Sequence, residues 1–263
     1  MLPSKIMKYV VGIRLLIYEN QYYWSGVYKK FEDVPVLGEG YFEENLANET
    51  RDYTQKLIDS LKKESQLPYN LLEENTFLPL ISSIVQLKEG KLKILELGGG
   101  MGIGYLGTKA CLGDNIEISY DIIETPVNCR GGQELFRGNK QIRFFQDFPS
   151  DLKEVDIVFI KSALQYFKEY DQVLKKLVSY NPKYVLFVKL SAGENVTYVT
   201  SQKNLTNTIT PFWFLNVGEV VSIMSTLGYS LIFKGLLDRA YNQDNFSREY
   251  QIRKNCNLLF KKN

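Results

Sequence analysis

The sequence predicts an α/β fold of the Rossmann-like, doubly wound kind: a mostly parallel sheet with helices on both faces. Three observations lead there. From Lys91 onward, short apolar runs of strand length alternate with helical patterns, the rhythm of parallel strands joined by helical crossovers. The first run, KLKILEL at 91–97, leads straight into a glycine-rich turn, GGGMGIGYLG. Hydrophobic residues make up 44% of the 263, enough to bury a large core.

The elements follow in order. Residues 1–90 differ from the rest and form a helical, aromatic N-terminal extension or cap, and residues 91–263 form the main domain. The apolar stretch YVVGIRLLIY at 9–18 is too short to span a bilayer and carries Arg14, so it reads as an amphipathic helix or a packed strand. Aromatics cluster from Tyr18 to Phe31, and helical patterns follow at 42–64 and 70–88, punctuated by Pro68 and Pro79. Beyond 91–97, strands are expected at 116–124, 142–145, 155–160 and 183–190. Thr125-Pro126 opens a helix, with Thr as cap and Pro at the first helical position. Further helices are expected at 163–180 and 217–227. Residues 191–215, polar and then aromatic at Phe212, Trp213 and Phe214, read as a loop after a parallel strand. Two last strands, 230–237 and 257–262, are joined by a polar stretch of loop composition.

Composition narrows the chemistry. A net charge of +2 offers no electrostatic footprint for nucleic acid. The three cysteines, Cys111, Cys129 and Cys256, are scattered and have no zinc spacing, as expected of reduced thiols in a cytoplasmic protein. There is no histidine, so no metal is expected and a general base must be Asp, Glu, Tyr or Lys.

The turn carries the functional signal. Glu96, Gly98, Gly100 and Gly102 spell E-x-G-x-G-x-G at a strand-to-helix junction, where a ligand can approach the backbone closely. A pyrophosphate seated there would be repelled by Glu96. S-adenosylmethionine (SAM) has no phosphate and carries a sulfonium and an ammonium, so the acid suits it. Gly99 and Tyr105 complete the expected contact set. The alternative G-x-G-x-x-G at Gly102, Gly104 and Gly107 starts where a helix should already be running. Glu124 ends the second strand, 20 residues beyond Gly104, where an acid grips ribose hydroxyls. Asp147 follows the third strand, a candidate base and, by resemblance to SAM-binding enzymes of this fold, a candidate for holding an adenine amino group. Ser162, Gln165 and Tyr166 follow the fourth strand and should face the sulfonium or the acceptor, because ligands of open α/β sheets sit at the carboxyl ends of strands.

These residues together resemble a family of class I SAM-dependent methyltransferases found in bacterial surface-polysaccharide gene clusters. The similarity runs over Trp24-Ser25-Gly26-Val27-Tyr28 with Phe31, ILELGGGMGIGY, Glu124-Thr125-Pro126, the SALQYF block at 162–167, Gln202 and Leu227-Gly228-Tyr229. It implies a seven-stranded sheet with the last two strands antiparallel at its edge. It also implies SAM as cofactor, S-adenosylhomocysteine as product, and a methyl acceptor from capsule or lipopolysaccharide synthesis. Two departures are Glu96, where Asp is common, and Lys189, where Arg is common and a planar fork becomes a point charge.

On this reading residues 1–90 are an acceptor-side cap, with Trp24 and Tyr28 as an aromatic platform and Lys189 and Gln202 in the acceptor site. Tyr166, Gln165 and Asp147 are the catalytic candidates. An acceptor that arrives anionic needs no base, only positive charge from Lys161, Lys189 or Arg130. Three readings compete, one of which, an RNA methyltransferase, would show a basic face or an added RNA-binding module, and neither stands out. A nucleotide-dependent oxidoreductase or epimerase conflicts with Glu96 and lacks a Tyr-x-x-x-Lys pair at Tyr180 or Tyr184. A catalytically silent SAM-binding scaffold would share every cofactor contact.

Overall fold

The computed structural model describes residues 22–64, 76–113, 116–203, 208–238, 242–252 and 254–263. The apolar stretch at 9–18 and the start of the helix expected at 70–88 lie outside the described residues. Seven strands make the main sheet: β2 (Lys91–Leu97), β3 (Glu117–Ile123), β4 (Ile142–Phe145), β5 (Ile157–Lys161), β6 (Tyr184–Leu190), β10 (Tyr229–Asp238) and β11 (Lys254–Lys262). Their order is β10-β11-β6-β5-β2-β3-β4. The β4, β3, β2, β5 and β6 pairings are parallel, and β11 joins antiparallel to both β6 and β10.

Two-residue alternation divides the core between the faces of this sheet. Ile94, Ile157 and Phe159 pack with Leu57, Leu78, Ile81 and Val85 of the first two helices, α1 (Glu44–Glu64) and α2 (Phe77–Glu89). The intervening Leu95, Val158 and Ile160 point the other way, against Val173, Leu174 and Leu177 of a helix at Tyr170–Val178 and Val220 and Met224 of one at Val217–Thr226. Both faces are therefore dry, which is why the strands read as nearly unbroken apolar runs. The edge strand β4 is fastened by charge instead. Asp121, 1% exposed, accepts two hydrogen bonds from its cross-strand partner Arg143, at 2.7 and 3.1 Å. That bidentate geometry is the strong form of the pair, and it holds the Arg143 guanidinium above its usual pKa.

Two remaining helices flank the turn: α3 (Ile103–Leu112) and α4 (Pro126–Leu135). Pro126 does open α4, but the Thr125 hydroxyl makes no capping bond. The Glu124 carboxylate takes the Thr125 amide instead.

Three expectations are corrected. The helix expected at 163–180 is broken. A single 3-10 turn, Leu164–Tyr166, is followed by extended Phe167, and the α-helix starts only at Tyr170. Residues 191–215 are not a loop: they contain β7 (Ala192–Gly193), β8 (Tyr198–Gln202) and most of β9 (Thr210–Asn216). With β1 (Trp24–Tyr28) these form a second sheet, ordered β1-β8-β9-β7. Thr200, Ser201 and Gln202 are polar yet buried, so hydrophilic composition hid a strand. The polar stretch between β10 and β11 also packs, burying Gln243, Phe246 and Ile252 against Trp24, Tyr198, Phe212 and Phe214.

Phe214 is fully buried at the centre of this smaller core, and Phe214→Ala should destabilise the protein by about 3–5 kcal/mol. Urea unfolding should show the lower midpoint with an unchanged slope.

Candidate functional site

The turn after β2 closes over a buried carboxyl. Glu96 is 3% exposed, and its Oε2 accepts a 2.7 Å hydrogen bond from Tyr120 of β3. The turn and the first residues of α3 pack directly on it: a Cβ at Gly99 would lie 2.5 Å, and one at Gly104 2.7 Å, from Glu96 Oε2. Glycine is thus needed to make room for the acid beneath. Burial pushes the Glu96 carboxyl up to about 7, against the opposing effects of the Tyr120 hydrogen bond and the charge of Lys161. Burial and the neighbouring Glu96 also hold Tyr120 well above the usual phenol range.

Two further elements meet the turn. Gly98 has φ +72°, and a Cβ there would stand 2.5 Å from Ala163 Cβ, so the segment after β5 can close against the turn only because residue 98 is glycine. On the other side Glu124 bridges the turn to α4. Its Oε1 accepts from the Gly100 amide at 3.2 Å and its Oε2 from the Thr125 amide.

At the carboxyl ends of β5 and β6, Ser162 (φ 51°) and Lys189 (φ 54°) are both left-handed, an uncommon state for residues other than glycine. They support each other: the Ser162 amide donates to Val188 O at 3.1 Å and its hydroxyl to Lys189 O at 3.3 Å. The Lys189 amide donates to the buried Asn257 side chain at 2.9 Å. Just beyond, Gln165 is 2% exposed and its Oε1 has no hydrogen-bond partner. Tyr166 donates to Gln202 Oε1 at 3.0 Å, and since a carbonyl oxygen only accepts, the 2.8 Å contact with Tyr41 must be a bond donated by Tyr41. Burial and Tyr41 keep the Tyr166 phenol well above its usual pKa, so it serves here as a neutral hydroxyl.

The structure therefore brings together Glu96, Gly98, Gly99, Gly100 and Glu124 around one turn. Ser162, Gln165 and Tyr166 stand on the β5 side, with Gln202 next to Tyr166. Gly102, also left-handed, caps α3 where it leaves the turn. Four expected residues fall elsewhere. Tyr105 is core: its ring packs on Tyr120 and Phe136 and its hydroxyl bonds Gln141 and Asn139. Trp24 is 5% exposed and wedged among Phe212 and Phe214, so it offers no face to an acceptor; packing on the second sheet claimed it. Tyr28 folds back over Gly26. Asp147 is exposed after the edge strand β4 and accepts from its own neighbour Phe148. In the order β5-β2-β3-β4, three strand spacings separate it from the β5 side, about 14 Å, so it is not placed as a base beside Tyr166. Of the candidate cations, Arg130 pairs with Glu44 at 3.0 Å. Tyr41, Tyr120 and Asn257 were not foreseen. Tyr120 alone had a signal, its place in the strand next to the turn.

Among the described residues there is no cluster of three metal-binding side chains, and no helix is long and apolar enough to cross a membrane. No protein-family profile matches the sequence, and comparison with curated proteins finds no match. Solved structures do match in fold. An S-adenosylmethionine-dependent methyltransferase from Clostridium acetobutylicum superposes with a TM-score of 0.50 at 9% identity, covering 80% of this chain and 98% of that one. A Listeria monocytogenes protein described as a methyltransferase of the same dependence gives 0.50 at 13%, covering 72% and 99%. A protein described as a methyltransferase, bound to the Haloferax volcanii activator Trm112, gives 0.51 at 13%, covering 82% and 96%. The chain has the Rossmann-like fold of class I methyltransferases.

Glu96 supplies a test of the site's electrostatics. Because its carboxyl is raised from 4.5 to about 7, its favourable contribution is complete below pH 4.5 and is lost as pH rises towards 7. Glu96→Gln should remove that loss, gaining on the order of 3 kcal/mol relative to wild type between acid and neutral pH. Chemical denaturation of both proteins at pH 4.5 and 8 should show it; parallel pH profiles would exclude a buried Glu96 that titrates near neutrality.

Proposed function

We propose that this protein is a SAM-dependent methyltransferase of the cytoplasm that methylates an oxygen of a small or carbohydrate-linked acceptor in surface-polysaccharide synthesis. The observation that carries this reading is the acid-floored turn. A carboxyl lies directly beneath Gly99 and Gly104, and the Glu124 carboxylate stands beside Gly100. That is a poor seat for a pyrophosphate and a good one for a ligand with a sulfonium, an ammonium and a ribose.

The residues present fit that cofactor. Glu124 stands at the end of β3 to accept ribose hydroxyls, exchanging its bond from the Gly100 amide for theirs. The orphaned Gln165 Oε1 is a buried acceptor whose desolvation, costing about 1–3 kcal/mol when unmet, a cationic donor would relieve. SAM supplies the electrophilic methyl group, and the protein's own task is alignment and exclusion of water. Tyr166 orients the acceptor by turning its O–H from Gln202 Oε1 towards it, from a phenol that stays protonated. None of the side chains bonded to it is a carboxylate. This favours an acceptor oxygen that arrives anionic, such as a phosphate-type oxygen, over a sugar hydroxyl that must lose its proton to a base. A net charge of +2 supports a small acceptor over a nucleic acid.

A thermal-shift titration with S-adenosylhomocysteine, NAD and NADP tests the reading. The homocysteine compound alone should stabilise the protein, by about 2.7 kcal/mol at a hundredfold excess over Kd. Glu124→Ala should weaken that response at least roughly tenfold in Kd, as expected for loss of a charge-assisted bond. Stabilisation by NAD without the homocysteine compound would make this an oxidoreductase or epimerase.

A further inference from the structure

The segment from Gly40 to Arg51 crosses the cleft and is fixed on both sides of it. At one end, in the 3-10 turn Gly40–Phe42, Tyr41 bonds Tyr166 at 2.8 Å and stacks edge-on against its ring, with centroids 4.8 Å apart. Tyr166 follows β5. At the other end Glu44 pairs with Arg130 and Arg51 with Glu134, each at 3.0 Å. Both partners sit on α4, which follows β3. The sheet order β5-β2-β3 puts the glycine turn, at the end of β2, between these two anchor points. Next to Arg51, Thr50 Cγ2 lies 3.8 Å from where a Cβ on Gly100 would stand. Residues 40–51 therefore border the space over the turn that a ligand seated there would take.

The anchors are unequal. The two ion pairs are about half or more exposed to solvent and individually weak. The Tyr41 hydroxyl enters a directed chain, Tyr41 to Tyr166 to Gln202, whose last member is 3% exposed and whose middle member packs on the core of the second sheet. We propose that Tyr41 is a positioning residue that latches residues 40–51 across the cofactor cleft and so sets the rate at which cofactor and product exchange. This deepens the methyltransferase reading and rests on it. It also ties the two ends of the reaction: the hydroxyl that latches the cofactor is bonded to the hydroxyl that meets the acceptor.

Stopped-flow binding of S-adenosylhomocysteine to the full chain tests this, with Tyr41→Phe and Tyr166→Phe each removing the bond from one side. Because the latch must open for entry as well as exit, Tyr41→Phe should raise the association and dissociation rates together, roughly 3- to 10-fold, the range of one net hydrogen bond. Kd should change by less than about twofold, since the latch holds with or without ligand. Tyr166→Phe should give the same rise, and the double variant no more than either single one. The melting temperatures of the ligand-free proteins separate this from loss of fold. Unchanged rates, a rise in the dissociation rate alone, or additive effects in the double variant would overturn the latch while leaving the cofactor assignment intact. Failure of the wild-type protein to bind the compound would overturn both.

Discussion

A carboxyl group buried beneath a glycine turn sets the terms for the whole cleft. Glu96 stands in an interior strand of the sheet, where an ionised acid is strongly disfavoured, yet its oxygen is also the surface on which Gly99 and Gly104 rest. The turn can take its shape only by leaving out side chains at those positions. Tyr120, reaching across from β3, donates a hydrogen bond to the acid from the neighbouring strand. Through these contacts the heights of β2 and β3, the path of the turn and the start of α3 are fixed relative to one another.

The second sheet supplies what the first lacks. A parallel sheet presents the carboxyl ends of its strands to a ligand but provides no wall beyond them. Here β1, β8 and β9 stand past β5 and β6 and bring Gln202 up to Tyr166. The junction is made by backbone that ordinary residues avoid, Ser162 and Lys189, and it is held by hydrogen bonds among neighbouring strand ends and Asn257. The unusual conformations lie where cofactor and acceptor would meet, as expected if local strain is tolerated where geometry matters for chemistry.

Most of the main sheet was legible because it is buried on both faces. KLKILEL and IRFF were bounded to the residue, since unbroken apolar runs between glycine and polar turns leave little freedom. The glycine-turn side of the candidate site was legible for a related reason: an acid, three glycines and a second acid at fixed spacing describe a turn and the strand beside it. The side built around Tyr166 was not. Tyr41 comes from a 3-10 turn far away in sequence, and nothing in GYF marks it. Trp24 looked like a binding aromatic because composition cannot distinguish a ring that faces a ligand from one that faces Phe214. Thr200, Ser201 and Gln202 read as loop because a strand that buries polar side chains lacks the apolar alternation by which strands are recognised. Helical periodicity over 163–180 concealed the break at Phe167, since a 3-10 turn and an α-helix share nearly the same spacing.

The pairing of β1 with β8 sets Trp24 opposite Gln202, joining the beginning of the described chain to a strand near its last quarter. Contacts so distant in sequence form late, because a long loop must close before they can form. As the chain emerges from the ribosome, β2 to β5 can find their neighbours while β8 and β9 are still unmade. Strands β2 to β6 can therefore associate before β1 has its partner, and Tyr166 gains its neighbour Gln202 only when β8 is made. A nascent chain stalled before Gln202 would present the glycine turn with neither the second sheet nor the antiparallel strands β10 and β11 beside it.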